Sequence, residues 1–94
     1  MIKVKKLILD ILKPHQPNAL EFASALAEHA GGIQITVSVV GVDEKTESVV
    51  AEIEGDAIDF ERLTAHIKEL GASVHSIDEV QVVSSDKSGQ TAAD

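Results

Sequence analysis

The feature that most constrains the fold is a hydrophobic period that switches between two residues and about 3.6 residues along the chain. Four segments alternate apolar and polar residues, which predicts half-buried strands. They are Lys5–Leu12, Ile33–Val42, Glu47–Gly55 and Ser73–Val83. Two segments with helical spacing lie between them, at Ala19–Ala30 and Phe60–Leu70. The polar turn "DEKT" joins the second strand to the third, so the order is strand, helix, strand, strand, helix, strand.

Both helices carry boundary signals. Asn18, followed by Glu21 three residues later, predicts a capping box, and Gly31 ends the helix. The apolar stripe of this first helix is assigned to Leu20, Ala23, Ala27 and Ala30, with Phe22 and Leu26 beside it. In the second helix the cap is Asp56 or Asp59 and Gly71 closes the end. Its helically spaced residues are Phe60, Leu63, Ile67 and Leu70.

This order, with a hairpin at its centre, predicts an α+β fold of the ferredoxin-like βαββαβ type. Its four-stranded antiparallel sheet has the order 4-1-3-2, with two helices on one face. We expect residues 1–84 to form a single domain and the polar segment "SDKSGQTAAD", residues 85–94, to be a disordered tail.

Helices on one side leave the opposite sheet face uncovered. If Leu7, Leu9 and Ile11 face the helices, Ile8 and Leu12 lie on the open face, with Val40 and Val50 as neighbours. Apolar side chains on an uncovered face often mark a partner surface, and a domain this small gains stability from association. These four residues, Ile8, Leu12, Val40 and Val50, are therefore the predicted contact between copies in a homo-oligomer.

Composition excludes several classes of function. The chain has no cysteine, so disulfides, thiolate metal sites and cysteine nucleophiles are absent. Sixteen acidic residues against eight basic ones give a net charge of −8, which argues against binding nucleic acid. No apolar run approaches the ~20 residues of a membrane span, and the N-terminal apolar run is interrupted by Asp10 and Lys13, unlike a signal peptide. We expect a cytoplasmic protein that contacts neither nucleic acid nor membrane.

The strand order predicts where polar residues meet. The end of strand 1 lies beside the starts of strands 3 and 4, which brings Asp10, Lys13 and His15 towards His75, Ser76 and the hairpin. Carboxylates there would favour calcium or magnesium, and the two histidines zinc. The candidate ligands are Asp10, His15, Asp43, Glu47, His75, Asp78 and Glu79, of which the last two lie further along strand 4. The alternative is that His75 and Asp78 form hydrogen bonds at a strand edge or subunit contact.

The enzymes and binding domains of this topology need residues that the chain lacks. Acylphosphatases hold phosphate with an arginine in the loop after strand 1, but that loop is "KPHQPN", and Arg62, the only arginine, lies on the second helix. Metal-carrier domains need a CxxC motif, and RNA-recognition domains need aromatic residues on the sheet. No catalytic residue or organic cofactor is therefore assigned. An ACT-like sensor of a small metabolite stays open, with its ligand near the first strand-to-helix loop. A metal-dependent enzyme that uses His15 and His75 is the third hypothesis.

Three segments together resemble the archaeal family known as domain of unknown function 211. They are "LDILKPHQP" at Leu9–Pro17, "DEKTES" followed by "EIEG", and "GASVHSIDEV" at Gly71–Val80. The sequence departs from the family pattern after "DEV", where "QVVSS" replaces an expected nearby glycine. The resemblance implies a ferredoxin-like domain that forms ring-shaped homo-oligomers, with no established activity. The residues that match its motifs are Asp10, Lys13, His15, Asp43, Thr46, Glu47, His75, Ser76, Asp78 and Glu79.

Taken together, these observations predict a non-enzymatic, self-assembling domain with a structural or regulatory role, for which a divalent cation (calcium, magnesium or zinc) is the candidate ligand.

Overall fold

A computed structural model describes residues 1–84 and confirms the ferredoxin-like fold. Its elements are β1 (Ile2–Pro14), α1 (Ala19–Ala30), β2 (Ile33–Val42), β3 (Thr46–Gly55), α2 (Phe60–Glu69) and β4 (Ser73–Ser84). The sheet is antiparallel with the order β2-β3-β1-β4, which is the predicted 4-1-3-2 read from the other edge. The predicted disordered tail, 85–94, lies outside the described residues. Neither helix of this region has the length and apolar character needed to cross a membrane.

Strand β1 organises the sheet because it pairs with β3 on one side and with β4 on the other. Its alternating residues Leu7, Leu9 and Ile11 are buried and lie opposite three buried residues of β3. Those partners are Ile53, Ala51 and Val49. A slip of one residue would move every one of these side chains to the other face, so the burial of this ladder specifies the register.

Helix α1 begins as predicted but buries a different face. Asn18 accepts a hydrogen bond from the backbone of Glu21, and the Glu21 carboxylate accepts one from the backbone of Asn18. The assigned stripe was wrong, because Phe22 and Leu26 are the fully buried residues and Leu20 is 75% exposed. Phenylalanine and leucine bury more apolar surface than the alanines, so they decide which side of the helix faces the sheet.

The structure shows which of the two candidate residues caps helix α2. The Asp59 side chain accepts from the backbone of Arg62, whereas Asp56 forms an exposed ion pair with Lys5 at 3.5 Å. Leu63 and Ile67 form its buried face. At the end of the helix the chain turns into β4 at Gly71, whose φ of +86° lies in the left-handed region that favours glycine.

The corrected orientation of α1 can be tested by comparing two truncations on the same helix. Leu26→Ala removes a fully buried side chain and should lower the free energy of unfolding by about 2–5 kcal/mol. Leu20→Ala removes an exposed one and should change it by less than about 0.5 kcal/mol. Urea denaturation measures both, and a larger effect at Leu20 would contradict the assignment.

Candidate functional site

Polar groups converge where β1 and β3 meet the hairpin, and we call Lys13, His15 and Glu47 the rim cluster. Lys13 continues the inward alternation of Leu9 and Ile11 and is completely buried. A buried ammonium group is costly unless it is paired and hydrogen-bonded. Lys13 Nζ donates to the carbonyl of Pro14 at 2.8 Å and to Glu47 Oε1 at 3.0 Å.

Glu47 is the centre of the cluster because each of its carboxylate oxygens binds a different cation. Its β3 position lies directly opposite Lys13 in the sheet register, so the ion pair crosses between the two strands. Its second oxygen, Oε2, accepts from His15 Nδ1 at 3.0 Å. The hydrogen bond from His15 and then the one from Lys13 lower the pKa of Glu47 below its usual value.

Both ring nitrogens of His15 face acceptors, an arrangement that favours the protonated imidazolium ring. Nδ1 faces the Glu47 carboxylate, and Nε2 lies 3.0 Å from the backbone carbonyl of Glu44. A neutral imidazole has only one N–H, so the protonated ring alone can donate at both contacts. The Glu47 carboxylate, followed by the Glu44 carbonyl, accordingly raises the pKa of His15.

The rim cluster ties the end of β1 and the loop after it to the hairpin, which lies 29 to 34 residues further along the chain. Lys13 comes from the end of β1, His15 from the β1–α1 loop, and the Glu44 carbonyl from the β2–β3 turn. The turn itself is closed by the Asp43 N–H, which donates to the Thr46 carbonyl at 2.8 Å. Because two cations already share one carboxylate, the cluster is a poor place for a metal cation. The three side chains instead hold β1 and the loop after it against the hairpin, and we call this role the clamp.

The structure distributes the seven candidate metal ligands over separate places. His15 and Glu47 bind each other, and Asp43 lies in the adjoining turn. Asp10 and His75 line a shallow depression with Leu12 and Ser48. Across residues 1–84, no three His, Asp or Glu side chains are grouped so that they could hold a metal ion.

The remaining two candidates, Asp78 and Glu79, lie on β4 and take part in two separate side-chain contacts. Asp78 accepts from Ser76 Oγ at 2.7 Å, which is the strand-edge hydrogen bond considered as the alternative to a metal ligand. Glu79 lies 3.3 Å from Lys6 Nζ, which also contacts Glu52 of β3 at 3.4 Å. The carboxylates of Glu79 and then Glu52 raise the pKa of Lys6.

The open sheet face carries Ile8, Leu12 and Val50 of the predicted contact among many polar residues. Leu12 and Val40 are 43% and 64% exposed, whereas Ile8 and Val50 are half-buried. Val40 falls at a break in the β2–β3 register. The Lys6 ion pairs cross the same face, because Ile8 lies opposite Glu52 and Glu79 in the register. The open face is therefore less apolar than the strand pattern indicates.

Sequence reasoning missed the role of Lys13, although a signal was present. Extending the alternation of Leu7, Leu9 and Ile11 by one step points Lys13 towards the core. An inward lysine needs a carboxylate partner, and Glu47 stands directly opposite in the register.

The family model for domain of unknown function 211, described as uncharacterized ArCR, matches residues 5–88. An uncharacterized protein of Methanocaldococcus jannaschii is 38% identical over 77 residues, which cover 82% of this chain and 79% of that protein.

The dependence of the cluster on Glu47 can be tested with a matched pair of glutamates. Glu47→Gln removes the carboxylate that faces two cations and leaves the buried Lys13 ammonium without a counter-ion, so the urea midpoint should fall markedly. Glu44→Gln changes the net charge equally but keeps the backbone carbonyl that His15 uses. Its midpoint should move little, and equal losses in the two variants would contradict the clamp.

The raised pKa of His15 predicts how the stability of the fold depends on pH. A pKa raised in the folded state stabilises the fold below the unfolded value of about 6.5, and this stabilisation is lost as pH rises through the folded pKa. The stability advantage of the wild type over His15→Gln should therefore shrink as the pH rises above about 6.5. Urea denaturation across this range measures it, and an advantage that grows with pH would contradict the assignment. The lowered pKa of Glu47 has the opposite sign, since its contribution is lost only as pH falls below the usual value of about 4.3.

Proposed function

The chain belongs to the archaeal family of domain of unknown function 211, and from this premise we propose that it is a self-associating domain without a catalytic role. The observation that carries the proposal is a line of exposed aliphatic side chains along β4 and at the start of β1, on the face of the sheet that is core elsewhere. We call it the β4 strip; its members are Ile2, Ile77, Val80 and Val82.

The sheet register explains why the β4 strip is apolar. Ile77 lies opposite Leu9, Val80 opposite Leu7, and Val82 opposite Val4, so all three share the face of the buried β1 ladder. Ile77, Val80 and Val82 are nevertheless 50%, 53% and 52% exposed, and Ile2 at the end of β1 is 61% exposed. Contiguous exposed apolar residues of this kind mark interaction surfaces.

A second copy of the chain can cover this strip through its opposite edge. Among the strands of residues 1–84, β2 and β4 are the two edges of the sheet, each paired on one side. Val39 and Val42 of β2 are 45% and 70% exposed, and β2 runs antiparallel to β4. Pairing β4 of one copy with β2 of the next would continue the antiparallel sheet and bury aliphatic surface at both edges.

This pairing is head-to-tail, because it joins two different edges of the same chain. Such heterologous contacts close into rings when the rotation between copies allows it and extend as filaments otherwise. A ring is the arrangement that the family resemblance implies. A domain of this size has a thin stability margin, so covering four exposed aliphatic residues per copy also supports association energetically.

The other hypotheses find less support in the site. The loop after β1, where an ACT-like domain would hold its metabolite, contains His15, which is already bonded to Glu47 and Glu44. A metal-dependent enzyme using His15 and His75 would need both rings at one centre. His15 faces the hairpin, while His75 lines the depression with Asp10.

The test is the oligomeric state in solution, measured by light scattering at micromolar concentration. The wild type should be an oligomer, and Val80→Lys should shift it towards monomer, because a charge in the β4 strip would have to be desolvated at the contact. Leu12→Lys is the matched control on the open face, with a similar exposed fraction of 43% against 53%.

Retention of the oligomer by Leu12→Lys supports the β4 strip as the contact. Dissociation by Leu12→Lys alone would instead support Ile8, Leu12, Val40 and Val50 as the interface. A monomeric wild type would overturn self-association itself. Addition of calcium, magnesium or zinc tests the cation response in the same measurement.

A further inference from the structure

A cavity lies at the end of the molecule away from the rim cluster, between the end of α1 and the start of α2. Its volume is about 160 Å³. Ile33, Ile58 and Leu63 provide apolar walls, and Ile58 and Leu63 belong to the buried core. The remaining wall is polar and includes His29, Asp59 and Arg62. Pockets for drug-sized ligands measure roughly 300–1,000 Å³, so an occupant here must be small.

Two opposite charges line this cavity without neutralising each other. Asp59 and Arg62 form no ion pair with one another, and within residues 1–84 the Arg62 guanidinium forms no hydrogen bond or ion pair. Asp59 Oδ1 accepts from the backbone N–H of Arg62, which leaves the other carboxylate oxygen available. Arg62 is also the only arginine of the chain. A cation and an anion therefore face the cavity a helix turn apart, each able to bind a ligand.

His29 is the third polar residue that lines the cavity, and a contact with α2 fixes the position of its ring. Its ring stacks on that of His66 with 3.9 Å between centroids and an angle of 8° between planes. His66 is in turn anchored by Glu69, which lies 3.1 Å from its Nδ1. Ring stacking leaves the edge nitrogens of His29 free for a ligand, and they form no hydrogen bond within residues 1–84.

We infer that this cavity binds a small α-amino acid. Its carboxylate would contact Arg62, its ammonium group Asp59, and its side chain the apolar wall of Ile58 and Leu63. A guanidinium group presents paired donors that match a carboxylate, and a carboxylate is the natural acceptor for an ammonium group. A simple anion would leave Asp59 unpaired and be repelled by it, and a simple amine would leave Arg62 unpaired. The zwitterion satisfies both.

The inference is tested by NMR or calorimetric titration of the full chain with L-valine and two analogues of the same shape. Isovalerate lacks the amino group and isobutylamine lacks the carboxylate. Each removes one charge-assisted contact, so each should bind at least about tenfold more weakly than valine. Glycine should also bind more weakly, because it cannot reach the apolar wall.

Three variants assign the contacts. Arg62→Gln and Asp59→Asn should each weaken valine binding by about tenfold or more, and asparagine preserves the helix cap, so the second variant keeps its fold. Lys68→Gln, on the same helix but outside the cavity, should bind as the wild type does.

Absence of valine binding at millimolar concentration would overturn the inference. So would isovalerate binding as tightly as valine, which would make the cavity a simple carboxylate site, or binding that survives Arg62→Gln. The result is independent of the proposed self-association, because β4 strip variants that are monomeric can be titrated in the same way.

Discussion

The alternating burial of β1 is the constraint on which the rest of the structure depends. This strand pairs on both sides, and its inward residues Leu7, Leu9 and Ile11 meet the buried side of β3 and the apolar side of β4. A shift of one residue would expose the whole ladder, so the register has one favourable solution. That solution also directs Lys13 into the protein, where its charge must be paired.

The rim cluster is the consequence of that buried lysine. Glu47 lies opposite Lys13 and uses its second oxygen to hold His15, which in turn reaches the hairpin turn through the Glu44 carbonyl. Two of the residues that suggest a metal centre in the sequence, His15 and Glu47, thus link the loop after β1 to β3. The Glu47 carboxylate also pairs the buried charge of Lys13.

The two ends of the molecule differ in how their polar side chains are paired, and the β4 edge of the sheet is apolar. At the rim, side chains satisfy one another and leave no vacant ligand position on His15. At the opposite end, Asp59, Arg62 and His29 line a cavity, and their side chains form no ion pair or side-chain-to-side-chain hydrogen bond with one another. Along the edge, β4 continues the apolar face of the core into solvent. Association at this edge and ligand binding at this end are separable, since they use different residues.

Local pattern was enough to predict the element order, the sheet order, the Asn18–Glu21 capping box and the inward face of β1, because each rests on periodicity or on neighbouring residues. It was not enough to orient α1, where Phe22 and Leu26 displaced the assigned alanine stripe, or to group the polar residues. The contact between copies predicted on the open face stays a prediction, and the exposed residues Ile77, Val80 and Val82 of β4 lie on the helix side. The sequence by itself determined which residues alternate and therefore how the strands pair. Only the tertiary structure decided which charges share a carboxylate and which apolar residues stay uncovered, because both depend on distances between segments remote in the chain.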